Sequence, residues 1–324
     1  MTVTEDCASC ADERAAGAAF CENCGKPLAT GTEPATGADC PSCGTAGAVG
    51  EDGYCGNCGI LAARPRDHAE ADAGDVAAAV TDRGLRHHRN EDAMWLAARG
   101  SDVDAVVCDG VSASFDPDVA SETAAEAAGK VLASANELKA VGLAAQVAAA
   151  ITAAAEAVAE LAGTGDPRRA ASNPACTIVA ACVRGPEIAY GWVGDSRAYW
   201  IPRDGDAEQL TEDDSWATHA IAFGADPQAA WNDPKAHAIT AWLGADAGPV
   251  QPRTATLRPE RPGLLVLCSD GLWNYLTEPA AFADTVRRAV QEAPDLLTAA
   301  RSLTAFANEQ GGADNITVVL VPIN

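Results

Sequence analysis

Acidic residues stand beside apolar runs at five places in this sequence. Leu264-Leu265-Val266-Leu267-Cys268 leads into Ser269-Asp270-Gly271, and Ala105-Val106-Val107-Cys108 leads into Asp109-Gly110. Gly191-Trp192-Val193 leads into Gly194-Asp195-Ser196-Arg197. Asp314-Asn315 stands before Ile316-Thr317-Val318-Val319-Leu320-Val321, and Asn90-Glu91-Asp92 before Ala93-Met94-Trp95-Leu96. A short apolar run bounded by turn residues reads as a strand buried on both faces. A carboxylate at its end is held rigidly, and a following glycine lets the backbone leave sharply. One such aspartate is an ordinary turn residue. Several of them, if the strand ends converge, repel one another and need cations or protons to coexist. Oxygen ligands without accompanying His or Cys favour magnesium, manganese or calcium over zinc.

A second chemistry lies at the start of the chain. Eight of the twelve cysteines fall within the first 58 residues, in the pairs Cys7/Cys10, Cys21/Cys24, Cys40/Cys43 and Cys55/Cys58. The second two pairs repeat the first two, displaced by 33 to 34 residues, as Cys21-Glu22-Asn23-Cys24-Gly25 and Cys55-Gly56-Asn57-Cys58-Gly59 make plain. Such a repeat marks two copies of one small unit. Two Cys-x-x-Cys knuckles complete a tetrahedral zinc site, so the segment resembles a double zinc ribbon with two structural zinc ions. The repeat favours sequential pairing; joining Cys21/Cys24 to Cys40/Cys43 and a disulfide framework are the alternatives. With so few large apolar residues, metal binding, about 10–16 kcal/mol per structural zinc, must supply the stability.

The elements that position these groups follow from periodicity. Residues 60–75 mix Ala, Arg, Pro, His and acids without period and are expected to be a linker. Val76–Val80 opens the large domain as a strand. Val119–Ala135 and Leu138–Leu161 carry helical spacing, the latter through Val141, Val147, Ile151, Val158 and Leu161. Cys176–Val183 reads as a strand, and 280–293 and 294–309 as two further helices. The stretch 213–246 is expected to be irregular. Cys108, Cys176, Cys182 and Cys268 lie on strands without paired spacing and are read as small buried hydrophobes.

In this order, Asn90-Glu91-Asp92, Asp109-Gly110, Gly194-Asp195-Ser196-Arg197, Leu210-Thr211, Ser269-Asp270-Gly271-Leu272-Trp273 and Asp314-Asn315 resemble the motif series of the metal-dependent protein phosphatases, the PPM or type 2C serine/threonine phosphatase family. The resemblance covers residues 75–324. It implies an α+β fold, an αββα sandwich of two antiparallel sheets flanked by helix pairs, with a zinc-ribbon module (1–59), a linker (60–75) and the phosphatase domain (76–324). It also implies hydrolysis of phosphate monoesters on serine and threonine by a metal-activated water. Asp109 would bridge two manganese or magnesium ions, with the Gly110 carbonyl as a further ligand. Asp270 and Asp314 would hold one ion and Glu91 the other. Asp92 would act through water, and Asp195 would serve a weaker third site.

Three departures from the family pattern stand out. The family usually places a phosphate-gripping arginine three residues before the Asn of Asn-Glu-Asp; here that residue is His87, flanked by Arg86 and Arg89. Imidazole lacks the fixed fork of guanidinium. After Asp109-Gly110, Val111-Ser112-Ala113-Ser114 offers no histidine as a proton donor. Asp214 stands where relatives often have His.

Partners and location follow from composition. Acidic residues outnumber basic ones by 46 to 22, which argues against a general nucleic-acid binder and an anionic-membrane binder. No apolar leader follows Met1-Thr2-Val3-Thr4-Glu5-Asp6, so a cytoplasmic protein is expected. The expected partners are a serine/threonine-phosphorylated protein and, through the ribbons, a kinase or signalling protein. Two other readings compete: a catalytically weak, phosphatase-like sensor, motivated by His87, and a zinc-ribbon nucleic-acid adaptor, disfavoured by the acidic balance.

Overall fold

The apolar runs are strands whose two faces are buried against different layers. In the computed structural model, which describes residues 37–50, 53–135 and 142–324, the chain forms two units, residues 1–63 and 64–324. In the second unit, β1 (His68–Asp72), β2 (Ala78–Asp82), β11 (Ile316–Ile323), β10 (Gly263–Cys268), β7 (Arg197–Pro202) and β8 (Glu208–Gln209) form one antiparallel sheet in that order. The other antiparallel sheet runs β3 (Ala93–Arg99), β4 (Asp102–Cys108), β5 (Ile178–Arg184), β6 (Glu187–Val193) and β9 (Arg253–Leu257).

Side chains alternate across each strand, so one run feeds two cores. Leu265, Leu267, Val319 and Val321 meet Ala105, Val107, Val179 and Ala181 between the sheets. Leu264, Val266, Cys268, Val318 and Leu320 face outward against α6 (Asp270–Trp273), α7 (Pro279–Glu292) and α8 (Leu296–Glu309). Val106, Cys108, Ile178 and Ala180 face the other way, onto α1 (Pro117–Ala135) and α2 (Leu143–Leu161). This is the expected layering of two sheets between helix pairs. The four strand cysteines are all buried without a disulfide. By length and composition α2 could cross a membrane, but Val147, Ile151, Ala154 and Val158 are buried in the helix–sheet core.

Helix starts are set locally. Proline opens α1, α7, α3 (Pro167–Ala171) and α5 (Pro227–Trp231), where its missing N–H costs nothing. Asp295 caps α8 by accepting from the Thr298 N–H at 2.7 Å. Ser215 and Asp226 cap α4 (Trp216–Ala222) and α5 in the same way. These two short helices lie inside 213–246, which was expected to be irregular.

The linker expectation is corrected. Residues 65–72 hold a 3-10 turn (Pro65–Asp67) and then β1, which pairs along its length with β2 from His68↔Asp82 to Asp72↔Ala78. As an edge strand β1 buries only alternate side chains weakly, so its sequence carries no continuous apolar run.

The described part of the first unit is a small ribbon, held by isolated bridges Ala38↔Val49, Val49↔Cys55 and Tyr54↔Leu61.

Candidate metal centres

Antiparallel pairing brings the acidic ends of the strands to one edge. Cys108, the end of β4, is opposite Ala93, the start of β3, so Asp109 and Asp92 leave the sheet together. Cys268 at the end of β10 is opposite both Val318 of β11 and Arg197 of β7. Asp270, Asp314 and Asp195 therefore emerge at that edge as well. Close backbone approach fixes the turns. A Cβ on Gly271 would lie 2.0 Å from the Asn315 carbonyl oxygen, and one on Gly110 would lie 2.8 Å from that of Glu91. Only glycine fits either place.

The carboxylates have few partners. Among the described residues, Glu91, Asp92, Asp109, Asp195 and Asp270 make no salt bridge, and the Asp92 Oδ1 and Asp270 Oδ1 atoms are buried without a hydrogen bond. Burial pushes Asp92 up to about 7, with the charges of Asp314 and Asp270 adding to the effect. Burial and the charge of Asp314 push Asp270 up to about 6, while the hydrogen bond from Asn274 opposes the shift. Burial and the neighbouring carboxylates hold Asp109 and Asp195 well above the ordinary range. A site whose acids resist ionisation together, with orphaned oxygens and an all-oxygen donor set, fits divalent cations.

Neutral side chains fix this cluster in place. The Asn90 side-chain N–H donates to Thr81 Oγ1 at 2.9 Å, Thr81 and Thr317 hydroxyls bond at 2.7 Å, and the Thr317 hydroxyl donates to Asp92 Oδ2 at 2.7 Å. Ser269 donates to the same Asp92 oxygen at 2.7 Å. Asn315 accepts from the Glu91 N–H at 2.7 Å and donates to the carbonyls of Arg83 and Arg89. Ser112 donates to Glu91 Oε2 at 2.6 Å. Sequence reasoning assigned none of these hydroxyls and amides a role. The available signal was a polar residue inside an apolar strand run, as Thr317 is in Ile316-Thr317-Val318.

The basic residues of the loop before Asn90 part company. His87 Nε2 lies 3.2 Å from Asp314 Oδ1, at the cluster. Arg86 is exposed and has no side-chain hydrogen bond or ion pair among the described residues, with its guanidinium near Gly311. Arg89 reaches Asp67 Oδ2 at 3.5 Å, so its side chain is engaged below the loop. Asp214 accepts from the Gly194 N–H at 2.9 Å and pairs with Arg253, bracing the turn that carries Asp195. Arg197 is a buried structural cation, bonded to Asp213 at 2.9 and 2.7 Å and stacked on Trp273 at 3.4 Å.

In the first unit, Cys40, Cys43, Cys55 and Cys58 converge, and their sulfurs all lie within 4.8 Å of one another. Cys40 Sγ and Cys58 Sγ are 3.8 Å apart, and Cys43 Sγ and Cys55 Sγ 3.7 Å. Sulfurs at the corners of a tetrahedron around zinc, with Zn–S near 2.3 Å, stand about 3.8 Å apart. These distances exclude a disulfide between them and match sequential pairing of the knuckles. The backbone N–H groups of Cys43 and Cys58 point at the Cys40 and Cys55 sulfurs, each at 3.5 Å. The hydroxyl and backbone of Thr45, with Asn57, hold the Cys43 thiol down at about 5. Cys7, Cys10, Cys21 and Cys24 lie outside the described residues.

The model of the family described as protein phosphatase 2C matches residues 83–306. The serine/threonine protein phosphatase PstP of Mycobacterium tuberculosis is 30% identical over 258 residues, covering 76% of this chain and 44% of that protein. The chain thus spans less than half the length of that relative. The serine/threonine phosphatase stp of Listeria innocua is 30% identical over 256 residues, covering 75% of this chain and 94% of that protein. The crystal structure of the PstP catalytic domain in complex with two manganese ions matches with a TM-score of 0.57 and 26% identity, covering 76% of this chain and 98% of that one.

Proposed function

The chain belongs to the protein phosphatase 2C family, and from that premise we propose that it hydrolyses phosphate monoesters on serine and threonine residues of a phosphoprotein, using manganese or magnesium. The observation that carries this reading is the set of carboxylates at one sheet edge, of which Glu91, Asp92, Asp109, Asp195 and Asp270 make no salt bridge among the described residues, with orphaned oxygens on Asp92 and Asp270. The manganese-bound relative supports the choice of ion.

Asp109, the Gly110 carbonyl, Asp270, Asp314 and Glu91 hold two cations; Asp92 supports them from its hydroxyl-lined niche, and Asp195 serves a weaker third position. Two cations at such a site supply an ionised water nucleophile near neutral pH and neutralise phosphoryl charge. The chain's own residues do the rest. Asn315 and Ser112 fix the Glu91 segment, and Ser269 and Thr317 orient Asp92. His87 and Arg86 border the cluster and bind the phosphate, while Arg89 braces the loop through Asp67. With imidazole where a guanidinium fork is usual, phosphate binding is weaker than a bidentate arginine would give.

The two zinc ribbons expected from the sequence repeat would each hold one structural zinc ion, one through Cys40, Cys43, Cys55 and Cys58 and the other through Cys7, Cys10, Cys21 and Cys24. They serve as a docking module for a kinase or signalling partner, and the protein acts in the cytoplasm. The catalytic reading is tested by phosphate release from a phosphothreonine peptide with manganese and with EDTA. Turnover that requires the metal is expected. No turnover from folded, metal-loaded protein would replace this reading with that of a phosphatase-like sensor, the alternative that His87 motivates.

A further inference from the structure

Beside the carboxylate cluster, under the segment 215–240, lies a cavity of about 800 Å³. One wall is Trp273, which closes the helical turn that Asp270 opens, and whose indole N–H donates to the Asp195 carbonyl at 3.0 Å. Ile221, Trp231 and His237 line it as well. The rings run from Trp231 to His237 at 5.8 Å and from His237 to Trp273 at 6.3 Å. Trp231 is 41% exposed, a large apolar surface left open beside the site.

The charge of the cavity is negative. Arg197 on its floor is cancelled by its paired bonds to Asp213. That leaves Glu212 and Glu278 among the lining residues. Glu278 makes no ion pair among the described residues, and Glu212, whose side chain is 70% exposed, meets only Arg253 at 3.2 Å. An exposed aromatic face beside the unpaired Glu278 and the largely exposed Glu212 suits a cation with an apolar stem. Arg197 already stacks on Trp273 at 3.4 Å, so the aromatic face open to a docked cation is that of Trp231.

We propose that this cavity docks an arginine or lysine side chain of the phosphoprotein segment next to the phosphorylated residue, and so sets the sequence preference of hydrolysis. The inference rests on the phosphatase reading and deepens it. The shared wall at Trp273 puts the docked side chain within a short stretch of chain from the cluster. An acidic flanking residue meets Glu212 and Glu278 and is repelled. The excess of acidic over basic residues, 46 to 22, favours basic segments already at encounter.

The test compares two phosphothreonine peptides that differ only in carrying arginines or glutamates around the phosphoresidue. Each kcat/KM is divided by that for p-nitrophenyl phosphate, which has no flanking residues, and binding of each peptide is followed by fluorescence anisotropy. The arginine peptide is expected to be preferred about tenfold, through KM, and to lose most of that advantage at high salt. In Glu212→Gln/Glu278→Gln the preference is expected to fall to about twofold, and Trp231→Ala should lower it independently. Equal kcat/KM for the two peptides, or a preference that survives both variants, overturns the proposal. If p-nitrophenyl phosphate itself is not hydrolysed, the phosphatase reading is what fails. Anisotropy still decides the docking: tighter binding of the arginine peptide that the double variant abolishes supports it, and equal binding overturns it.

Discussion

Replacing Thr317 by valine removes one hydroxyl and keeps the shape of the side chain. Thr317, Thr81 and Asp92 are 0%, 4% and 2% exposed, so no water can substitute for what is lost. A carboxylate only accepts, so the Thr317 hydroxyl donates to Asp92 and its oxygen accepts from Thr81. Thr317→Val therefore deletes a charge-assisted hydrogen bond, about 1.5–3 kcal/mol, and leaves the Thr81 O–H without its acceptor, about 1–3 kcal/mol more, while the Thr81 oxygen still accepts from Asn90. The expected total is about 4 kcal/mol, a large share of a typical stability of about 5–15 kcal/mol. Thr317→Ser keeps the hydroxyl and gives up only a buried methyl, about 1 kcal/mol. Urea unfolding of the metal-free proteins well above pH 7, where Asp92 is ionised, followed by tryptophan fluorescence, measures both. A valine variant that loses less than the serine variant would refute the reasoning, because packing of the methyl rather than the hydroxyl chain would then be what Thr317 contributes.

Further expectations follow from the same geometry. Asp92 and Asp270 are raised from 3.8 to about 7 and about 6, chiefly by burial, so the metal-free fold is favoured by their protonation at low pH and loses that contribution progressively from pH 3.8 up to about 6 for Asp270 and about 7 for Asp92. Cations bind the ionised forms, so manganese should raise the melting temperature more at pH 7.5 than at pH 5, as differential scanning fluorimetry can check. Gly271→Ala forces a methyl against the Asn315 carbonyl and should destabilise the fold by about 1–3 kcal/mol while removing most activity, since Asn315 also anchors Glu91. Cys55→Ser should cost one zinc ion per chain, read by elemental analysis against total protein. Arg86→Ala should raise KM for a phosphopeptide with little change in stability, whereas Arg89→Ala should lower stability, because Arg89 is tied to Asp67.

Much of the site was legible because its residues sit next to strong local signals. Asp109, Asp270 and Asp314 each adjoin a strand buried on both faces, and such runs are long, apolar and bounded by glycine or asparagine. The knuckles were legible for a similar reason, since Cys40/Cys43 and Cys55/Cys58 carry their geometry within four residues each. The supporting shell was not legible. Asp92 and Thr317 are 225 positions apart, and Glu91 and Asn315 are 224 apart, so their pairing exists only once both sheets have formed. The edge strand β1 was hidden by its composition, because His68-Ala69-Glu70-Ala71-Asp72 lacks β-branched residues and takes its place through pairing with β2 rather than burial. The fate of Arg89 turned on Asp67, a buried partner in a segment expected to be linker.

The most direct test titrates manganese into metal-free protein and reads heat and p-nitrophenyl phosphate turnover on the same samples, beside Asp270→Asn. The account predicts activity that rises with the occupancy of two manganese sites, vanishes with EDTA, and is lost with the tightly bound metal in Asp270→Asn. Turnover that persists without bound manganese, or that Asp270→Asn leaves intact, would contradict it.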